Sequence, residues 1–128
     1  MIKINVITNN IKWFYFIKNP NNYLDRKLSK INSKDKIFKK KSIFFTLLLS
    51  DDKEIKVLNK KFRKKNIATD VLSFPFQTKR ELKKKIKKEK EIYLGDIIVN
   101  LNKIKSKKIL KNFKLEFDRL WIHGLVHL

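Results

Sequence analysis

His123 and His127 are the only histidines in the chain, and they stand four residues apart. On a helix, residues at this spacing project from one face about one turn apart, so two imidazoles can reach one metal ion. Metallopeptidases use the spacing in HExxH, where the glutamate is the general base. Here the segment reads HGLVH, with Gly124 in the glutamate's place, which disfavours peptidase chemistry. An ordinary surface or capping pair is the competing reading. Glycine costs a helix about 1 kcal/mol relative to alanine. Gly124 therefore implies a close neighbour, either a packed strand or a metal-site loop. A catalytic zinc takes three protein ligands and keeps one position open. Asp70, Asp96, Glu116 and Asp118 are nominal third ligands, and none has a spacing that compels the choice.

Each of these side chains also has a plainer role. Glu116 reads as a solvent-facing charge. Asp70 reads as a brace for the loop entering the next strand. Asp96 follows Gly95 inside a strand pattern, which suggests a bulge whose carboxylate accepts backbone hydrogens. Ser73 either lines a cleft or bonds a neighbouring carbonyl. Arg63, at the end of a helical pattern, is either a phosphate-binding fork or a surface charge.

The elements that must position these groups follow from periodicity. Ile2, Ile4 and Val6 alternate with polar residues, as in a half-buried strand. Residues 11–17 carry an aromatic run with no clear period, and its rings, Trp13, Tyr15 and Phe16, suit a core better than base stacking. Leu24, Leu28, Ile31 and Phe38 recur at helical intervals over 23–38. Residues 42–50, SIFFTLLLS, read as a central strand buried on both faces. Asp51 and Glu54 have capping-box spacing, and Ile55, Leu58, Asn59 and Phe62 share one helical face. Residues 71–74 are a short strand ended by Pro75. The charge run at 77–91 is either an exposed helix or a basic insertion. Residues 92–100 return to strand character. The amphipathic segment 101–111 reads as a helix, and a last helix from Phe113 to Leu128 carries one long apolar stripe and both histidines. The order predicts an α+β fold: one domain over 1–128, about four strands in a mixed sheet, helices packed on it, and the histidine helix at the C-terminus. That helix ends uncapped on Leu128, so the chain reads as incomplete at its C-terminus.

Composition narrows the partners. The formal charge is +21, from 33 Lys plus Arg against 12 Asp plus Glu. Polyanions are favoured, although Lys, Ile and Asn together make up 58 of 128 residues and their AT-rich codons can produce such an excess by drift. No cysteine is present, which excludes disulfide frameworks and cysteine metal sites. No run approaches the ~18 apolar residues of a membrane span. The N-terminus lacks a secretory cleavage pattern, so a cytoplasmic protein is expected.

Four segments together carry a resemblance: LSDDKEIKVLNKKFR (49–63), FRKKNIATDVLSFPF (62–76), LGDIIVN (94–100) and HGLVHL (123–128). Over about residues 43–128 the chain resembles the YbeY family of bacterial endoribonucleases, also called rRNA maturation factors. The resemblance implies a small α+β fold with one zinc ion at the end of a cleft. It implies cleavage of single-stranded RNA, a part in 16S rRNA 3′-end maturation and a link to ribosome quality control. The partners would be the 16S precursor and the ribosome or its small subunit. The family motif HGxLHLxGYDH supplies three histidines. Its first two match His123 and His127, and its third falls beyond Leu128. Arg63 matches the cleft arginine on which the family's activity depends. Val126 stands where the family has Leu, and Ala68 where it often has Pro. With only two histidines present, a non-catalytic RNA- or ribosome-binding module with a vestigial metal site is the alternative. The nucleophile, water or the RNA 2′-OH, stays open. So does the role of the Lys83–Lys90 cluster, which could follow an RNA backbone.

Overall fold

The computed structural model describes residues 1–34 and 40–128. In chain order the elements are β1 (Ile2–Thr8), a 3-10 turn (Ile11–Tyr15), α1 (Pro20–Lys34), β2 (Ser42–Ser50), α2 (Asp52–Arg63), β3 (Val71–Pro75), α3 (Lys79–Lys88), β4 (Glu91–Asn100), a second 3-10 turn (Leu101–Lys103) and α4 (Leu110–Val126). The strands form one sheet in the order β1-β2-β4-β3. β1, β2 and β4 run parallel, and β3 is antiparallel to β4. This is the α+β fold with a mixed sheet that the sequence predicts.

Helices cover the two faces unequally. On one face Phe45, Leu47 and Leu49 of β2 and Ile97 and Val99 of β4 pack under Leu24 and Leu28 of α1 and Phe113, Phe117, Leu120 and Trp121 of α4. Trp13 joins this core fully buried, and its indole N–H donates to the Ser50 carbonyl at 2.9 Å. On the other face α2 alone sets Ile55 and Leu58 against Leu48, Leu72 and Ile98. β2 is therefore not buried on both faces. Phe45, Leu47 and Leu49 are buried, while Phe44, Thr46 and Leu48 are only half-buried, because the short α2 leaves part of their face open.

Local signals explain most element boundaries. α1 begins at Pro20, whose fixed φ suits a first helical position, and the Asn19 side chain accepts the Asn22 N–H at 3.1 Å. The expected extension of this helix to Phe38 lies outside the described residues. Asn32 of α1 accepts the Ile2 N–H at 2.7 Å and donates to the Ile2 carbonyl at 2.9 Å, occupying the outer edge of β1. Asp51 caps α2, accepting the Glu54 N–H at 3.0 Å. That bond, followed by one from the Asn10 side chain, holds its carboxyl below the ordinary carboxylate range. The capping box is not reciprocal, since the Glu54 carboxylate accepts from Ser50 and Asn9 instead. α2 ends with Lys64 in the left-handed region at φ 58° and the Lys65 N–H on the Asn59 carbonyl, a Schellman-type stop.

Three further expectations are corrected. Residues 101–111 are not a helix. Asn100 caps only the 3-10 turn, and Glu116 then holds the irregular chain by accepting from Lys105 N–H at 2.8 Å and Ser106 at 3.2 Å. Glu116 is thus a half-buried tie and not a solvent-facing charge. In the aromatic run, Trp13 is buried and Phe16 stacks on Phe113 at 4.4 Å, but Tyr15 is 83% exposed.

Trp13→Phe removes the donor to a buried carbonyl and part of a fully buried side chain. It should lower unfolding stability by about 2–4 kcal/mol, measured by urea titration. A loss below the usual scatter would show that the indole bond contributes little.

Candidate functional site

Three elements converge at one end of the molecule. The last turns of α4 set His123 and His127 side by side, with ring centroids 4.4 Å apart and planes crossing at 67°. Both rings are exposed. The last turn of α2 brings in Arg63, whose Nη2 donates to the Ser73 carbonyl at 2.8 Å and whose guanidinium lies 5.6 Å from the Phe74 ring centroid. β3 supplies the wall between them. Its alternation points Val71, Ser73 and Pro75 to one face, and with Arg63, His123 and His127 they line a cleft of about 370 Å³.

Gly124 sets the depth of this cleft. A Cβ there would stand 2.6 Å from Ile97 Cγ2 and 3.2 Å from the Ser73 hydroxyl. The absence of a side chain lets α4 lie directly on the sheet, and the Ser73 hydroxyl donates to the Gly124 carbonyl at 2.8 Å. Of the two neighbours that Gly124 implied, the structure has the packed strand. Ser73 does both things expected of it, lining the cleft and bonding a carbonyl. A second glycine, Gly95, has φ +138°, and a Cβ there would stand 2.3 Å from the Phe74 carbonyl. It therefore allows β3 to close on β4.

None of the nominal third ligands enters the cleft. Asp118 accepts from the Tyr23 hydroxyl at 2.9 Å and the Trp121 indole at 3.0 Å, and pairs with Lys27 at 3.2 Å. Burial first, then this carboxylate, push the Tyr23 hydroxyl pKa up. Glu116 serves the loop before α4. Asp70 braces its loop through its carbonyl, which accepts the Asn100 N–H at 2.9 Å, while its exposed carboxylate faces only Thr69. Asp96 sits at a register shift between β2 and β4, as expected of a bulge. Its carboxylate accepts the Tyr93 hydroxyl, however, not backbone hydrogens. That hydroxyl also lies 2.6 Å from Thr46 Oγ1, and its pKa is raised by burial and then by Asp96.

Among the described residues no group of three His, Cys, Asp or Glu side chains could hold a metal ion. The donor chemistry nevertheless suits zinc for two of its ligands: adjacent, exposed imidazoles one helical turn apart. The two histidines and Arg63 expected from the sequence line one cleft, and Val71 and Pro75, which the sequence reading did not name, form its walls. The alternation of β3 was the available signal. That reading also missed Phe62, read as part of a packed helical face but 60% exposed at the mouth of a neighbouring groove. No helix among the described residues is long and apolar enough to cross a membrane.

Comparison with known proteins gives a consistent assignment. The family described as Endoribonuclease YbeY matches residues 6–128. A protein named Endoribonuclease YbeY from Pelagibacter ubique (strain HTCC1062) is 43% identical over 131 residues, covering 100% of this chain and 80% of that protein. The protein of the same name from Thermodesulfovibrio yellowstonii is 38% identical over 106 residues, covering 81% of this chain and 60% of that protein. The one from Ehrlichia canis (strain Jake) is 31% identical over 130 residues, covering 100% and 77%.

Gly124→Ala places a methyl group against the branched Ile97 side chain. The crowding cost of about 1–3 kcal/mol should exceed the helix-propensity gain of about 1 kcal/mol. Thermal unfolding should therefore show a lower midpoint, and an unchanged or raised midpoint would mean that α4 can lift away from the sheet freely.

Proposed function

The chain belongs to the Endoribonuclease YbeY family, and from that premise we propose that it is a zinc-dependent endoribonuclease that cuts single-stranded RNA in the cleft between α4 and β3. We place its action in 16S rRNA 3′-end maturation and ribosome quality control in the cytoplasm, with the 16S precursor and the small subunit as partners. The observation that carries this reading is the meeting of Arg63 with the His123–His127 pair in one cleft.

Arg63 is the phosphate-binding group. A guanidinium has five N–H donors in a rigid plane. One nitrogen is committed to the Ser73 carbonyl, which fixes the orientation of the plane and leaves the other donors for phosphate oxygens. These donors stabilise the charge that grows on the phosphoryl oxygens as water or the 2′-OH attacks and the 5′ oxygen leaves. His123 and His127 would hold the zinc ion through ring nitrogens. When bound, zinc supplies Lewis-acid polarisation of a phosphoryl oxygen and a more acidic water. The Ser73 hydroxyl is a positioning group, because its proton is directed at the Gly124 carbonyl. Val71 and Pro75 are apolar walls.

The basic helix α3 extends the RNA track. Its half-buried Leu82 and Ile86 line a small apolar pocket with Leu125 and Leu128, so the helix docks near the histidine end of α4. Lys83, Lys84, Lys87 and Lys88 remain exposed. A second reading, an RNA-binding module with a vestigial site, uses the same basic track and cleft for binding without cleavage.

Two measurements test these proposals. With the full chain, His123→Ala should lose bound zinc by elemental analysis and slow cleavage of a single-stranded RNA by ~100-fold or more. Full cleavage by this variant in chelator would reject metal catalysis, and RNA binding without cleavage by the zinc-supplemented wild type would favour the vestigial site. Changing Lys83, Lys84 and Lys87 together to Gln should weaken RNA binding and reduce the slope of log K against log salt by up to about 2. An unchanged slope would remove α3 from the footprint.

A further inference from the structure

Beside the cleft, a groove of about 550 Å³ opens on the sheet face that α2 leaves uncovered. Its floor is a cross-strand row, with Asp96 paired to Thr46 on one side and to Phe74 on the other. The neighbouring row, Leu48, Ile98 and Leu72, packs against α2, and Leu48 and Ile98 also reach the groove as its wall. Where α2 ends, Phe62 hangs over the groove, edge-on to Phe74 with ring centroids 5.5 Å apart. The groove and the histidine cleft share one wall, the edge strand β3. Ser73 faces the cleft and Phe74 faces the groove. Arg63 spans both, lining the cleft while its guanidinium lies on the Phe74 ring.

We infer that this groove receives an unstacked nucleobase of the RNA strand whose phosphate is held at Arg63, with Phe62 and Phe74 as its stacking surfaces. The inference rests on the endoribonuclease reading and adds a base-binding pocket to it. The lining is apolar or aromatic except for Thr46 and Asp96. A phosphate has no cation inside the groove to meet. It would face Asp96, which has no cationic partner, since the one ion pair among the described residues is Lys27–Asp118. The cations stand at the rim, with Lys61 5.4 Å from the Phe62 centroid and Arg63 on Phe74. A strand laid along this rim keeps its backbone on the cations and turns an uncharged ring into the groove. A paired base cannot make that turn without leaving its helix, so the groove would select single strands.

The test uses the full chain in chelator, so that RNA binds without being cut. The probe is a short single-stranded RNA carrying 2-aminopurine, whose fluorescence reports stacking. Wild type should quench the probe. Phe62→Leu, which keeps apolar bulk but loses the ring, should lose the quench and bind roughly tenfold more weakly. Phe62→Tyr should behave as wild type. An abasic RNA of the same length should bind wild type and Phe62→Leu alike. Equal affinity and quench for wild type and Phe62→Leu would overturn the proposal and leave the groove to a protein segment or a second copy. Failure of the nuclease reading is distinguishable: the wild type with zinc would not cleave, although the quench persisted. No RNA binding by wild type at all would overturn both.

Discussion

The approach of α4 to the sheet at Gly124 is the constraint on which the site depends. A helix of this kind ordinarily stands off a sheet by the thickness of its side chains. Here the Gly124 backbone lies against Ile97, and the Ser73 hydroxyl bonds the Gly124 carbonyl. His123 and His127 flank this contact within the same two turns, so their height above β3 is set by it. Arg63 is tied to the same strand by its bond to the Ser73 carbonyl. One residue of β3 thus holds both partners, by its hydroxyl on one side and its carbonyl on the other. A weakly covered edge strand becomes the common reference for groups that come from separate helices.

The charge distribution follows a similar economy. With 33 basic and 12 acidic residues, the chain could have spent its carboxylates on surface ion pairs, which are weak. Instead, several accept hydrogen bonds that hold the backbone or a buried hydroxyl: Asp51 at the start of α2, Glu116 before α4, Asp118 on Tyr23 and Trp121. None of these lies in the histidine cleft, which is lined by Arg63, two imidazoles and neutral walls. That lining suits an anion.

Much of this was legible in the residues. Alternation in β1, the Asp51 cap, the apolar stripe of α4 and the i,i+4 histidines are local patterns, and local backbone geometry turns each into a position. The short strand ended by Pro75 and the return to strand character at 92–100 were also readable, and the structure pairs them antiparallel as β3 and β4. The errors share one cause. The full burial predicted for β2, the helix predicted at 101–111 and the solvent-facing role of Glu116 each depended on what another element covers. No window of sequence contains that information.

Residue types and their spacing alone therefore indicated the mixed α+β fold and singled out the histidine pair, and the motif resemblance added Arg63 as a candidate. These follow from periodicity and from motifs short enough to read along one chain. Only tertiary structure decided that Arg63, 60 residues before His123 in the chain, shares a cleft with it. It also decided that Asp70, Asp96, Glu116 and Asp118 stand outside the cleft, and that Phe62 is exposed over an open groove. Each is a question of distance across the sheet, set by where β3 lies at the edge and how closely α4 can pack, and sequence separation does not measure such distances.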